Sequence, residues 1–99
     1  MYNSDIIDFQ ENAVVSRTII DKRAGSVTFF AFAAGQGLSE HSAPYDALVY
    51  ITEGEVEVVI SGKSHKLKKD EVIMMPANEP HSLSAITKFK MMLVMIKSS

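Results

Sequence analysis

Val49-Tyr50-Ile51-Thr52-Glu53-Gly54-Glu55-Val56-Glu57-Val58 decides the fold of this 99-residue chain. Its first half is β-branched and aromatic, and it stops at Glu53-Gly54. The second half alternates acid with valine at a period of two, which suits a strand with one wet face. Working outward, Ser61-Gly62-Lys63-Ser64 is a tight hairpin signal. His65 to Lys68 returns with alternation, and Lys69-Asp70 turns again. Glu71 to Met75 reads as a buried strand that stops at Pro76. His81 to Ile86 and Phe89 to Ile96 are the last two runs. Upstream lie the runs from Val14 to Ile20 and from Val27 to Ala34. The first is closed by Asp21-Lys22-Arg23-Ala24-Gly25 and the second by Gly35-Gln36-Gly37. Met91 to Ile96 has the propensity for a helix turn, but its length and its place after a strand favour β. About eight short strands with turns at regular spacing predict an all-β sandwich or barrel.

The length fits one domain spanning residues 1–99, with the polar stretch 1–12 as a lead-in that packs on a neighbouring surface. The apolar share of 46% and the charged share of 22% are ordinary for a globular protein. A formal charge of −2 with both signs dispersed gives no basic footprint for nucleic acid and no charged tail. The absence of cysteine excludes disulfides, thiolate catalysis and thiolate metal sites. Met1-Tyr2-Asn3-Ser4-Asp5 lacks the basic and apolar regions of a signal peptide, and no apolar run is long enough to span a bilayer. The expected address is cytoplasmic, with no membrane partner.

Two histidines stand out. His41 closes Gly35-Gln36-Gly37-Leu38-Ser39-Glu40-His41, and His81 closes Pro76-Ala77-Asn78-Glu79-Pro80-His81. Each lies next to a strand-like run and beside turn residues. On an all-β scaffold they can converge on one pocket as ligands, as an acid/base pair or as packing.

These stretches resemble the two motifs of the cupin superfamily, a double-stranded β-helix or jelly-roll barrel. The family's first motif reads glycine, five residues, His-x-His, three or four residues, glutamate, six residues, glycine. Here Gly35 leads to His41, Ala43 replaces the second histidine, Ala47 replaces the glutamate and Gly54 closes the motif. The second motif reads glycine, five residues, Pro-x-Gly, two residues, histidine, three residues, asparagine. Here Asp70 and Asn78 replace the glycines, Pro76 and His81 match, and Ala85 replaces the asparagine. The match covers residues 35–85. It implies a small single-domain cupin with an incomplete metal-ligand set, since metal-binding members use both first-motif histidines, the glutamate and the second-motif histidine.

Three functions follow for His41 and His81. Two neutral imidazoles hold Fe, Mn, Ni, Cu or Zn as a divalent ion only with help from other donors. Asp46, Glu40 and Gln36 are the candidates, and Asp46 is the one carried forward, because Glu40 should point away from His41 on a strand. The chemistry would then be oxygenase-like or isomerase-like on a small organic molecule. Without a metal, the pair can do acid/base work near neutral pH. Without catalysis, the volume vacated at Ala43 and Ala47 leaves an apolar pocket for a small ligand in a binding or sensing module. Phe29, Phe30, Phe32, Phe89 and several methionines are candidates to line it, although core packing is the plainer role for most. No organic cofactor is indicated.

The remaining polar residues read more simply. His65, among lysines after a hairpin turn, reads as solvent-facing. Met74, Met75, Met91, Met92 and Met95 could coordinate Cu(I), but neighbours on a strand face opposite ways, and adaptable core filling is the plainer reading. Glu53, Glu55 and Glu57 read as a solvated row facing Lys66, Lys68 and Lys69. Ser39, Ser42 and Ser82 lack the sharp turn of a nucleophile elbow, which argues against a hydrolase. Apolar strand content on both faces, together with the family resemblance, suggests a homodimer whose partner covers a sheet face or the lead-in. A filled barrel would instead mark a purely structural dimeric partner.

Overall fold

A computed structural model of the chain describes residues 6–97. Among them nine strands form two antiparallel sheets, the all-β jelly roll expected from the sequence. They are β1 (Val14–Lys22), β2 (Gly25–Phe32), β3 (Gly37–His41), β4 (Asp46–Glu53), β5 (Glu55–Ile60), β6 (Lys63–Lys68), β7 (Val72–Met75), β8 (His81–Ala85) and β9 (Phe89–Ile96). One sheet runs β1-β2-β9-β4-β7 and the other β3-β8-β5-β6. Residues 1–5 of the lead-in lie outside the described residues.

The alternation seen in the sequence fixes which face of each strand is buried. In β4, Ala47, Val49 and Ile51 are buried while Leu48 is exposed. In β5, Val56 and Val58 are fully buried and Glu55 faces water. A slip of one residue would exchange these faces, so burial pins the register. The two inner faces meet around Phe32 and Phe89, which are opposite one another on β2 and β9. Their rings stack at 4.5 Å with an interplanar angle of 8°. Such stacking is worth about 1 kcal/mol beyond the area buried.

Val49 to Val58 is not a hairpin. β4 pairs with β7 and β9, β5 pairs with β6 and β8, and Gly54 alone carries the chain from one sheet to the other. Its φ is +80°, and a Cβ there would run into the Lys88 carbonyl oxygen and come within 2.8 Å of the Phe89 Cβ.

Several expectations change in detail. Gly37 belongs to β3, a ninth strand that the sequence hid because only Leu38 in it is even half-buried. β1 runs on to Lys22, which narrows the following turn to Arg23-Ala24. Glu53 is separated from Glu55 and Glu57 by the sheet crossing and approaches Lys90 at 4.0 Å. Glu55 and Glu57 do lie opposite Lys68 and Lys66. His65 is opposite the buried Val58, so it shares the inner face of its sheet and is half-buried rather than solvent-facing. The described part of the lead-in packs on its own chain. Ile7 is buried, Arg17 donates a hydrogen bond to the Ile6 carbonyl at 3.2 Å, and the Lys88 and Lys90 ammonium groups each lie 5.0 Å from the Phe9 ring centroid.

Gly54 and Gly62 make a controlled pair, because both are left-handed but only Gly54 is crowded. Gly54→Ala should cost about 3 kcal/mol, combining left-handed strain with overpacking. Gly62→Ala should cost only about 1 kcal/mol, from the backbone alone. Denaturant unfolding of the two variants checks this, and equal losses would show that the close approach to Phe89 does not constrain the fold.

Candidate functional site

β3 and β8 are neighbours, and their register places His41 directly opposite His81. His41 ends its strand at the exposed rim, whereas His81 begins β8 after Pro80 and is 7% exposed. The rings meet edge to face, with centroids 4.4 Å apart at 71°. Their Nε2 atoms are 3.2 Å apart. Each Nδ1 is held by a backbone carbonyl two residues earlier in the chain, at 2.7 Å to Ser39 for His41 and 3.1 Å to Glu79 for His81.

These partners determine the tautomers. A carbonyl oxygen only accepts, so each Nδ1 carries a hydrogen and each neutral ring turns an Nε2 lone pair toward the other. Two acceptors facing at this distance need a cation between them, either a proton or a metal. Two imidazole nitrogens on a tetrahedral ion stand about 3.3 Å apart at ordinary metal–nitrogen lengths, close to the spacing observed. Anchoring of Nδ1 by a carbonyl is also the usual support for a metal-bound imidazole. Burial pushes the His81 pKa below its ordinary value of 6.5; the bond to the Glu79 carbonyl opposes this, and the charge of His41 adds to the lowering.

Below the pair lies a cavity of about 60 Å³. That is room for roughly five water-sized groups. His41, His81, Ala43, Ala47 and Tyr45 line it, together with leucine and methionine side chains from both sheets. Both alanines that stand at family ligand positions therefore open onto the same space as the histidines.

Asp46 has a different place. Its Oδ1 accepts the Ala77 N–H at 2.9 Å, and the Asn78 N–H donates to the Ala43 carbonyl at 2.7 Å. These two bonds staple the loop before β4 to the loop before β8, which carries Pro76 to Pro80. Among the described residues no three His, Asp or Glu side chains gather into a metal-holding group, so the structure does not bring Asp46 to the histidine pair. Glu40 is exposed, and Gln36 is absent from the cavity lining. What sequence reasoning missed is the pair of anchoring carbonyls; of the lining it offered, Phe29, Phe30, Phe32 and Phe89 are absent from the cavity, and the methionines that line it are Met75, Met91 and Met95. The latter were legible from strand parity, because they share the inward phase of Ala47, Val49 and Ile51.

Among the described residues no helix is long and apolar enough to cross a membrane. A family model described as a cupin domain matches residues 28–97. The fold of a conserved protein of unknown function from Streptococcus pyogenes matches with a TM-score of 0.89 at 30% identity, covering 100% of this chain and 92% of that one. A Cupin 2 conserved barrel domain protein from Leptotrichia buccalis matches with a TM-score of 0.93 at 34% identity over 96% of this chain, which spans only 46% of that protein. A curated relative, the polyketide synthase CurC of Streptomyces cyaneus, is 38% identical over 48 residues, 48% of this chain and 31% of that protein. With the jelly roll and the matched motifs, these likenesses establish that the chain belongs to the cupin domain family.

Proposed function

We propose that this cupin holds a metal cation between Nε2 of His41 and Nε2 of His81 and binds a small organic molecule in the cavity beside it. The observation that carries the reading is the pair of acceptor nitrogens facing at 3.2 Å with both Nδ1 atoms committed to carbonyls. A divalent ion of the Fe, Mn, Ni, Cu or Zn group would keep at least two positions for the ligand or water. Bound there, it would supply Lewis acidity to a donor atom of the ligand. The protein's own part is to fix the two rings through Ser39 and Glu79, to exclude water with apolar walls, and to limit the ligand to a handful of heavy atoms. Oxygenase-like or isomerase-like chemistry fits such a site. The polyketide synthase name of one relative points toward an organic substrate as well.

A metal-free binding or sensing role is the second reading. It is favoured by the apolar walls of the cavity. In this reading the cytoplasmic protein responds to ligand without catalysis.

We also infer a homodimer formed through the outer face of the five-stranded sheet. Leu48 lies opposite Met74 and Val94 there, and Leu48, Val72, Met74 and Ile96 are all exposed. The same apolar face on a second copy is self-complementary under a two-fold axis.

Three measurements test these statements. Elemental analysis of protein purified without chelator or affinity tag should find near-stoichiometric metal, lost in His41→Ala/His81→Ala. Wild-type protein that stays metal-free after incubation with Fe²⁺, Mn²⁺, Ni²⁺, Cu²⁺ and Zn²⁺, and with Cu(I) under anaerobic conditions, would leave only the second reading. For metal-free protein the sign with pH is set by His81, whose folded pKa lies below 6.5. The unfolded chain then binds more protons just below that pH, so stability falls on acidification from neutral through the folded pKa. His81→Gln should remove that component of the melting temperature's pH dependence; identical profiles for the two proteins would refute it. Light scattering should give a dimer for the wild type and a monomer for Leu48→Lys/Met74→Lys, whereas a monomeric wild type would rule the interface out.

A further inference from the structure

The residues around the Ala47 gap belong to one chemical kind. Ala47 is opposite Met75 on β7 and opposite Met95 on β9. Cross-strand partners share a face, with strands about 4.8 Å apart. Two thioether side chains therefore flank the place where Ala47 leaves room, and both line the same cavity as His41 and His81. Met75 is 4% exposed, so its sulfur is sheltered from water. Among the described residues no carboxylate lines this cavity, and the side-chain oxygen they offer is the Tyr45 hydroxyl. Magnesium, calcium and manganese favour oxygen donors, whereas thioethers with imidazoles select a soft cation.

We propose that the cation of this site is Cu(I), held by Nε2 of His41 and His81 and completed by the thioethers of Met75 and Met95. The inference rests on the reading that a metal sits between the histidines, and it replaces the divalent ion and its two open positions with Cu(I) and two thioethers. The histidine spacing is too short for a linear two-coordinate ion, so further donors are required; Met75, Met91 and Met95 line the same cavity, and of these Met75 and Met95 are the partners of Ala47. Met75 belongs to the buried core and Met95 packs against it, and both also border the cavity, so metal titration separates packing from ligation.

The test is a competition titration under anaerobic conditions with a chromophoric Cu(I) chelator, run in parallel with a Zn²⁺ titration. The proteins are wild type, Met75→Leu/Met95→Leu, each single variant, and Met92→Leu, which lies on the opposite face of β9. Leucine conserves the volume, and thermal melts verify that each variant is folded. The wild type should bind one Cu(I) per chain. The double variant should lose about tenfold or more in Cu(I) affinity, the scale on which even outer-shell partners act, while Zn²⁺ affinity stays the same. Met92→Leu should change neither, and the copper-edge X-ray absorption of wild type should contain sulfur scatterers that the double variant lacks. Cu(I) affinity unmoved by the double variant, with Zn²⁺ still bound through the histidines, would overturn the thioether site and leave the metal reading standing. Failure of both metals to bind wild type would overturn both.

Discussion

Gly54 reverses the phase of the chain, and the two-sheet core depends on that reversal. Before it, the odd-numbered residues Ala47, Val49 and Ile51 point inward; after it, the even-numbered Val56 and Val58 do. A continuous strand would send one of these sets to solvent. One left-handed residue, seated against Phe89, changes both sheet and phase in a single step. The stacked pair of Phe32 and Phe89 then closes the core behind it.

The histidine pair depends on a different constraint. His41 and His81 come from opposite ends of their strands, and each is followed or preceded by loop. Their meeting is held by the staple of Asp46 to Ala77 and of Asn78 to Ala43, together with the carbonyl anchors at Ser39 and Glu79. Asp46 thus serves the site through the backbone of the opposing loop rather than as a donor beside the rings.

Much of the fold was legible because period-two burial leaves a direct trace in sequence, as in Glu55 to Val58. The glycine replacements were legible too. Asp70 and Asn78 have φ of 72° and 68°, and asparagine and aspartate are the non-glycine residues that tolerate this region best. β3 was hidden because an exposed strand needs no apolar alternation; its partner β8 defines it. His65 was misread because its turn was weighed and its register was not. The site was half legible. Motif spacing singles out the histidines, but hydrogen bonds to main-chain carbonyls carry no side-chain signature, and the direction of Asp46 after Pro44 is set by tertiary contacts.

The order of the strands has a consequence for how the molecule is made. β2 and β4 do not pair with each other; both pair with β9. Likewise β3 and β5 are joined only through β8. The two strands that complete the sheets follow all the others in the chain. During synthesis β1–β2, β4–β7 and β5–β6 can pair as they emerge from the ribosome, but these pieces keep unpaired edges until β8 and β9 are free. Completion of both sheets waits for β8 and β9, with the slow, non-local closure and the exposure to aggregation that such topologies carry.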